Sequence, residues 1–125
     1  MQTYLVTGGA GFIGANYIHY MFDTYGSDVN IINVDKLTYA GKAERLEKFS
    51  TWNNYKFIQA DICDKKTIHD IFTQYDIDRV VHFAAESHVD RSIETPDLFL
   101  ETNVLGTGVL LNAARKAWKI KGKRI

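Results

Sequence analysis

The chain has 125 residues, the size of one ordinary domain, and should bury about two-thirds of the surface that its unfolded form exposes. Lys plus Arg and Asp plus Glu number 15 each, so no net field favours nucleic acid or an anionic membrane as a partner, and the Lys119 to Arg124 cluster reads as a solvated helix end. The single cysteine, Cys63, excludes a disulfide framework within the chain and a Cys-based metal cluster; with apolar runs well short of the ~18 residues of a membrane span and no basic leader before the first strand, a soluble cytoplasmic protein is expected.

In chain order, apolar runs rich in β-branched residues predict strands at Thr3 to Thr7, Val29 to Val34, Tyr55 to Gln59 and Arg79 to Ala84. Between the first two, Phe12, Ile13, Tyr17, Ile18, Met21 and Phe22 have helical spacing, and Tyr25-Gly26 closes that helix. A short helix is expected around Ala43 to Phe49. Ile68, Ile71, Phe72 and Tyr75 mark another, with Asp64 as a candidate cap. Thr95-Pro96-Asp97 starts a long helix running to about Trp118, whose apolar residues cover more than one stripe and so call for a second packing partner. Alternating strands and helices predict an α/β fold with a parallel sheet covered by helices on both faces. A doubly wound dinucleotide-binding fold uses strand order 3-2-1-4-5-6, of which these strands supply 3-2-1-4, while Arg124-Ile125 reads as the first step of a fifth. Residues 1–125 are therefore expected to form an incomplete Rossmann domain.

The run Gly8-Gly9-Ala10-Gly11-Phe12-Ile13-Gly14 follows the first strand and opens the first helix. There glycines allow a tight turn and let backbone N–H groups approach a pyrophosphate over the positive end of a helix. Asp35 ends the second strand about 20 residues further on, where a carboxylate accepts the ribose hydroxyls of NAD and repels a 2′-phosphate. Lys36 beside it leaves tolerance for NADP open, and a solvated strand-end carboxylate is the plain alternative. Asp61, at the end of the third strand, can reach an adenine ring; a helix-capping role for Asp61 or Asp64 is equally open. The stretch from His82 to Ser92 leaves the fourth strand at its carboxyl end, beside the switch point where open α/β sheets bind ligands. His19, His69, His82 and His88 show no ligand spacing, and His82 reads as a hydrogen-bonded core residue. Ser87 lacks the surroundings of a hydrolase nucleophile, and Cys63 reads as a buried or idle thiol.

On these residues the whole chain resembles the extended short-chain dehydrogenase/reductase family, and within it the nucleotide-sugar 4,6-dehydratases. The family's glycine motif falls on Gly8, Gly11 and Gly14, with Phe12 and Ile13 inside it. Asp35-Lys36-Leu37-Thr38 is similar to the segment that holds ribose and wraps adenine, and Asp61-Ile62 to the adenine-side pair. Phe83-Ala84-Ala85-Glu86-Ser87 matches the lining of the nicotinamide half. The Ser87 equivalent also touches the sugar nucleotide, and Thr102 matches a further cofactor contact.

The resemblance implies NAD as cofactor and a dTDP-sugar as substrate: the sugar is oxidised at C4, water leaves across C5 and C6, and hydride returns to C6 with no net redox change. It also implies a homodimer in which the matching 96–118 helix packs in a four-helix interface. The family's base is a Tyr-x-x-x-Lys pair. Here Tyr4, Tyr17, Tyr20, Tyr25, Tyr39, Tyr55 and Tyr75 are followed four residues on by Gly8, Met21, Thr24, Val29, Ala43, Gln59 and Arg79. An elimination Asp-Glu pair is missing as well. The expectation is the NAD-binding part of such a dehydratase, without turnover of its own; a nucleotide-sugar epimerase of the same family and a non-catalytic NAD-binding module are the alternatives.

Overall fold

The computed structural model describes residues 1–37, 43–84, 101–120 and Gly122. Four strands, β1 (Gln2–Thr7), β2 (Val29–Asp35), β3 (Tyr55–Gln59) and β4 (Arg79–His82), form one parallel sheet in the order β3-β2-β1-β4. This is the predicted order. The register puts Thr7 opposite both Val34 and His82, so β1 and β4 end level at their carboxyl ends and β2 runs one residue further. The fourth strand stops two residues before the predicted Ala84. Phe83 N–H still reaches Thr7 O at 2.8 Å, but Ala84 N–H, which in a continuing strand would face away from β1, turns back to the Thr7 hydroxyl at 3.2 Å, so the backbone leaves the strand path there.

The chain divides into two compact units. The first comprises Met1–Ala60 and Ile77–Ala84. In it, helix α1 (Phe12–Tyr25) lies with a 3-10 helix at Ala43–Phe49 over the sheet face bearing Val6, Val29 and Ile31. Parallel strands alternate faces, and on the opposite face Leu5, Ile32 and Val34 are buried too. The core beneath α1 is aromatic at one end. Phe22, Phe49 and Trp52 have ring centroids 4.7 to 5.1 Å apart, in tilted and edge-to-face arrangements. Such pairs add about 0.5 to 1.5 kcal/mol each beyond burial. Gly26 ends α1 as predicted, with φ +54° and its N–H on Phe22 O, and a short 3-10 turn at Gly26–Asp28 leads into β2.

The second unit holds Asp61–Asp76 and the described residues from Glu101 onward. Helix α2 (Lys65–Gln74) turns Ile68, Ile71 and Phe72 inward. The long predicted helix is π-helical over Glu101–Gly106 and continues as α3 (Thr107–Ile120), two residues past Trp118. Its start at Thr95 to Asp97 and residues Leu98 to Leu100 lie outside the described residues. Phe72 meets Trp118 edge to face at 6.5 Å, which joins α2 to α3. Val109, Leu110, Ala113 and Ala114 are buried, whereas Val104, Leu105 and Leu111 are exposed. A β-carbon at Gly106 would lie 2.6 Å from Ile62 Cγ1, so the π-helical stretch brings its backbone onto Ile62 where no side chain fits. Among the described residues no helix is long and apolar enough to cross a membrane.

Candidate functional site

The glycine run forms a turn from the end of β1 to the start of α1. Gly8 sits at φ +71°, donates to Val34 O at 2.9 Å, and has Ala84 N 2.6 Å from where a β-carbon would stand. Only glycine fits there. Gly14 packs equally close, with Gly9 Cα 2.8 Å from its missing β-carbon, whereas at Gly11 the nearest atom is Gly8 O at 3.4 Å, ordinary contact. No atom of the described protein therefore requires Gly11 to be glycine.

Gly11 is the N-cap of α1, with extended φ −73° and ψ 170°, and no side chain caps the helix. The first turn holds no acidic residue, and Phe12 and Ile13 are 73% and 69% exposed. Among the described residues no side chain caps the first amides of α1, and the positive end of the helix dipole lies behind them.

Asp35 closes against this turn. It is 8% exposed; Oδ2 accepts from Ala10 N–H at 2.9 Å and Oδ1 from Leu37 N–H at 2.7 Å. Each carboxylate oxygen keeps a further lone-pair site, so holding the backbone does not exclude accepting a hydroxyl. Leu37, at φ +58°, is the one described non-glycine residue in left-handed conformation, and its bond to Asp35 helps to hold it there. Lys36 is exposed beside them, and Thr38 lies outside the described residues.

Two contributors were missed by sequence reading. Asn33, fully buried on β2, accepts from Gly9 N–H at 3.0 Å, and the Arg45 guanidinium donates to Ala10 O at 3.0 Å. Neither has a local motif. The strand period that puts Asn33 beneath the glycine turn would have revealed it only once that turn's course was known. At the end of β4, Thr7 Oγ1 shares a 2.5 Å hydrogen bond with His82 Nδ1, and burial lowers the His82 pKa, which favours a neutral ring. His82 is thus half-buried and hydrogen-bonded. Phe83 stacks at a tilt on Tyr17 at 5.4 Å, and Ala84 lies against Gly8; Ala85 and Ser87 lie outside the described residues.

In the second unit, Asp64 is the cap of α2, accepting from Thr67 N–H at 3.3 Å and Thr67 Oγ1 at 2.7 Å, which lowers its pKa. Asp61 makes a turn instead, accepting from Cys63 N–H at 2.9 Å, and Ile62 is buried. Thr102 lies in the π-helical stretch. Among the described residues no cluster of His, Cys, Asp or Glu could hold a metal ion.

The dTDP-glucose 4,6-dehydratase of Salmonella typhimurium is 50% identical over 119 residues, which are 95% of this chain and 32% of the relative. The solved dTDP-glucose 4,6-dehydratase of Streptomyces venezuelae, with NAD bound, matches with TM-score 0.84 and 40% identity over 93% of this chain and 36% of its own. The UDP-glucose 4-epimerase of Thermotoga maritima, solved with UDP-glucose, matches with TM-score 0.81 and 33% identity over 93% and 35%. The chain thus spans about a third of the length of the relatives it matches. The family model described as GDP-mannose 4,6 dehydratase matches residues 5–125, and the chain belongs to that family.

Proposed function

We propose that the chain binds NAD at the glycine turn and is the cofactor-holding part of a nucleotide-sugar 4,6-dehydratase acting on dTDP-glucose. The observation that carries this is the uncapped start of α1 behind the glycine turn, with the Asp35 carboxylate beside it. The residues present fit the group: among the described atoms a β-carbon at Gly11 would meet only Gly8 O, at 3.4 Å, and the first-turn amides suit a pyrophosphate. Gly8, Gly11, Phe12, Ile13 and Gly14 would line the phosphates, and Asp35, Lys36, Leu37 and Thr38 the ribose and adenine. Asp61 and Ile62 would add to the adenine side, and Phe83, Ala84, Ala85, Ser87 and Thr102 to the nicotinamide side. NAD supplies a hydride acceptor that is also the donor. The dehydratase reading is favoured over the epimerase by the 50% identity to one against 33% to the other.

With no Tyr-x-x-x-Lys pair among its tyrosines, the 125-residue chain would position the cofactor and leave dTDP-glucose unchanged. The exposed Val104, Leu105 and Leu111 support self-association through the long helix. Leu105→Lys with Leu111→Glu should shift sedimentation toward monomer, and Val109, being buried, is no part of that face. The single cysteine is consistent with the cytoplasm.

Calorimetric titration with NAD⁺ tests the site. Gly11→Val should abolish measurable binding while circular dichroism shows the chain still folded with a slightly lower melt, because a β-carbon there meets only Gly8 O among the described atoms and valine is a poorer N-cap than glycine. Unaltered affinity in a folded Gly11→Val variant would refute the assignment.

A further inference from the structure

Among the described residues, Asn33 is a buried polar side chain that touches the glycine turn without being placed to meet the cofactor. Asn33 is 0% exposed and lies among apolar residues on the α1 side of the sheet, paired across the ladder with Val6. An amide in such a place is retained only where its hydrogen bonds are made, and here both ends are used. Oδ1 accepts from Gly9 N–H at 3.0 Å, and Nδ2 donates to Tyr55 Oη at 3.2 Å. The contact with Gly9 is steric as well as polar. A β-carbon on Gly9 would collide with Asn33 Oδ1 and stand 2.6 Å from both Asn33 Cγ and Ile18 Cδ1. Gly9 is therefore glycine because Asn33 and Ile18 lie directly beneath it, and its N–H points into the protein.

We propose that Asn33 is a positioning residue for the glycine turn, fixing the height and tilt of the Gly9 peptide so that the amides after it are aimed at the cofactor phosphates; this rests on the NAD reading above. The two peptides that follow are held as well, Gly9–Ala10 by Asp35 on Ala10 N–H and Ala10–Gly11 by Arg45 on Ala10 O, so Asn33 supplies the side-chain anchor nearest the strand. Tyr55 orients the amide by taking one of its hydrogens. Asn33 touches no ligand in this arrangement. Its influence on binding passes through the backbone.

The test uses the 125-residue chain with three variants. Asn33→Leu fills the same volume without an acceptor, Tyr55→Phe removes only the partner of Nδ2, and Met21→Ala cuts the same core away from the turn. Asn33→Leu should weaken NAD⁺ about tenfold, the loss expected for one misdirected hydrogen-bonding group, and should speed amide exchange at Gly9 while Ile31 and Ile32 stay protected. Tyr55→Phe should give a smaller loss of affinity in the same direction. Met21→Ala should lower the melting temperature and leave affinity unchanged. Equal affinity in wild type and both Asn33→Leu and Tyr55→Phe would overturn the positioning role, as would affinity falling with melting temperature alike in all three variants. A wild-type chain without NAD⁺ affinity would overturn the cofactor reading and the functional part of this proposal, whereas unchanged Gly9 exchange in Asn33→Leu would overturn the anchor alone.

Discussion

The first turns of α1 and α2 solve the same problem in opposite ways. Every helix begins with N–H groups that have no partner inside it. At α2, Asp64 accepts from Thr67 N–H, and the Thr67 hydroxyl holds the carboxylate in place. At α1 the capping position is Gly11, no described side chain caps the amides, and two large apolar residues stand exposed beside them. Aspartate is among the best N-caps and glycine gives up a few tenths of a kcal/mol. A helix that only packs keeps its cap, and one that presents its amides goes without.

The most direct way to break this contrast is to cap α1. Gly11 already has the extended conformation of an N-cap, so Gly11→Asp should fit without strain. It should raise stability by about 0.3 kcal/mol in a thermal melt while weakening NAD⁺ by more than about tenfold, because its charge would stand where a phosphate is expected. A variant that gained stability and kept its affinity would show that the open end serves no anion. Next in size is Asp35→Ala, with an expected loss of about 1 to 3 kcal/mol in NAD⁺ binding. Stability should fall too, since Ala10 and Leu37 lose their acceptor. Arg45→Ala removes the hydrogen bond to Ala10 O and should weaken binding by about 1 kcal/mol in calorimetry.

The smallest effect belongs to α2. The bonds from Thr67 lower the Asp64 pKa from its ordinary 3.8. A carboxylate with a depressed folded-state pKa stabilises above its unfolded value, and that contribution is lost as pH falls through the lower folded one. Asp64→Asn should therefore cost a little melting temperature at neutral pH and nothing once the pH is well below 3.8, leaving NAD⁺ affinity untouched.

What could be read from the sequence was whatever is local. The four strands, the glycine turn, Asp35 and the Asp64 cap each lie in a few consecutive residues whose period or spacing carries the signal. The early end of β4 could not be read, because it depends on the Thr7 side chain of another strand taking Ala84 N–H. Asn33 and Arg45 were hidden for a similar reason: they act on Gly9 and Ala10 across separations of 24 and 35 residues. The left-handed Leu37 gave no warning either, since leucine is a residue that normally avoids that region.

The glycines of the turn differ in what would preserve them through divergence. Gly8 and Gly14 are demanded by neighbouring backbone and Gly9 by the side chains of Asn33 and Ile18, so a descendant that keeps this fold with those two side chains keeps all three, whatever it binds. Among the described atoms Gly11 has no such internal claim on it. A lineage that lost its ligand but retained its architecture would let that one position drift while the other three stood still. Among distant members of the family, Gly11 is thus the residue whose replacement distinguishes a surviving scaffold from a surviving binding site.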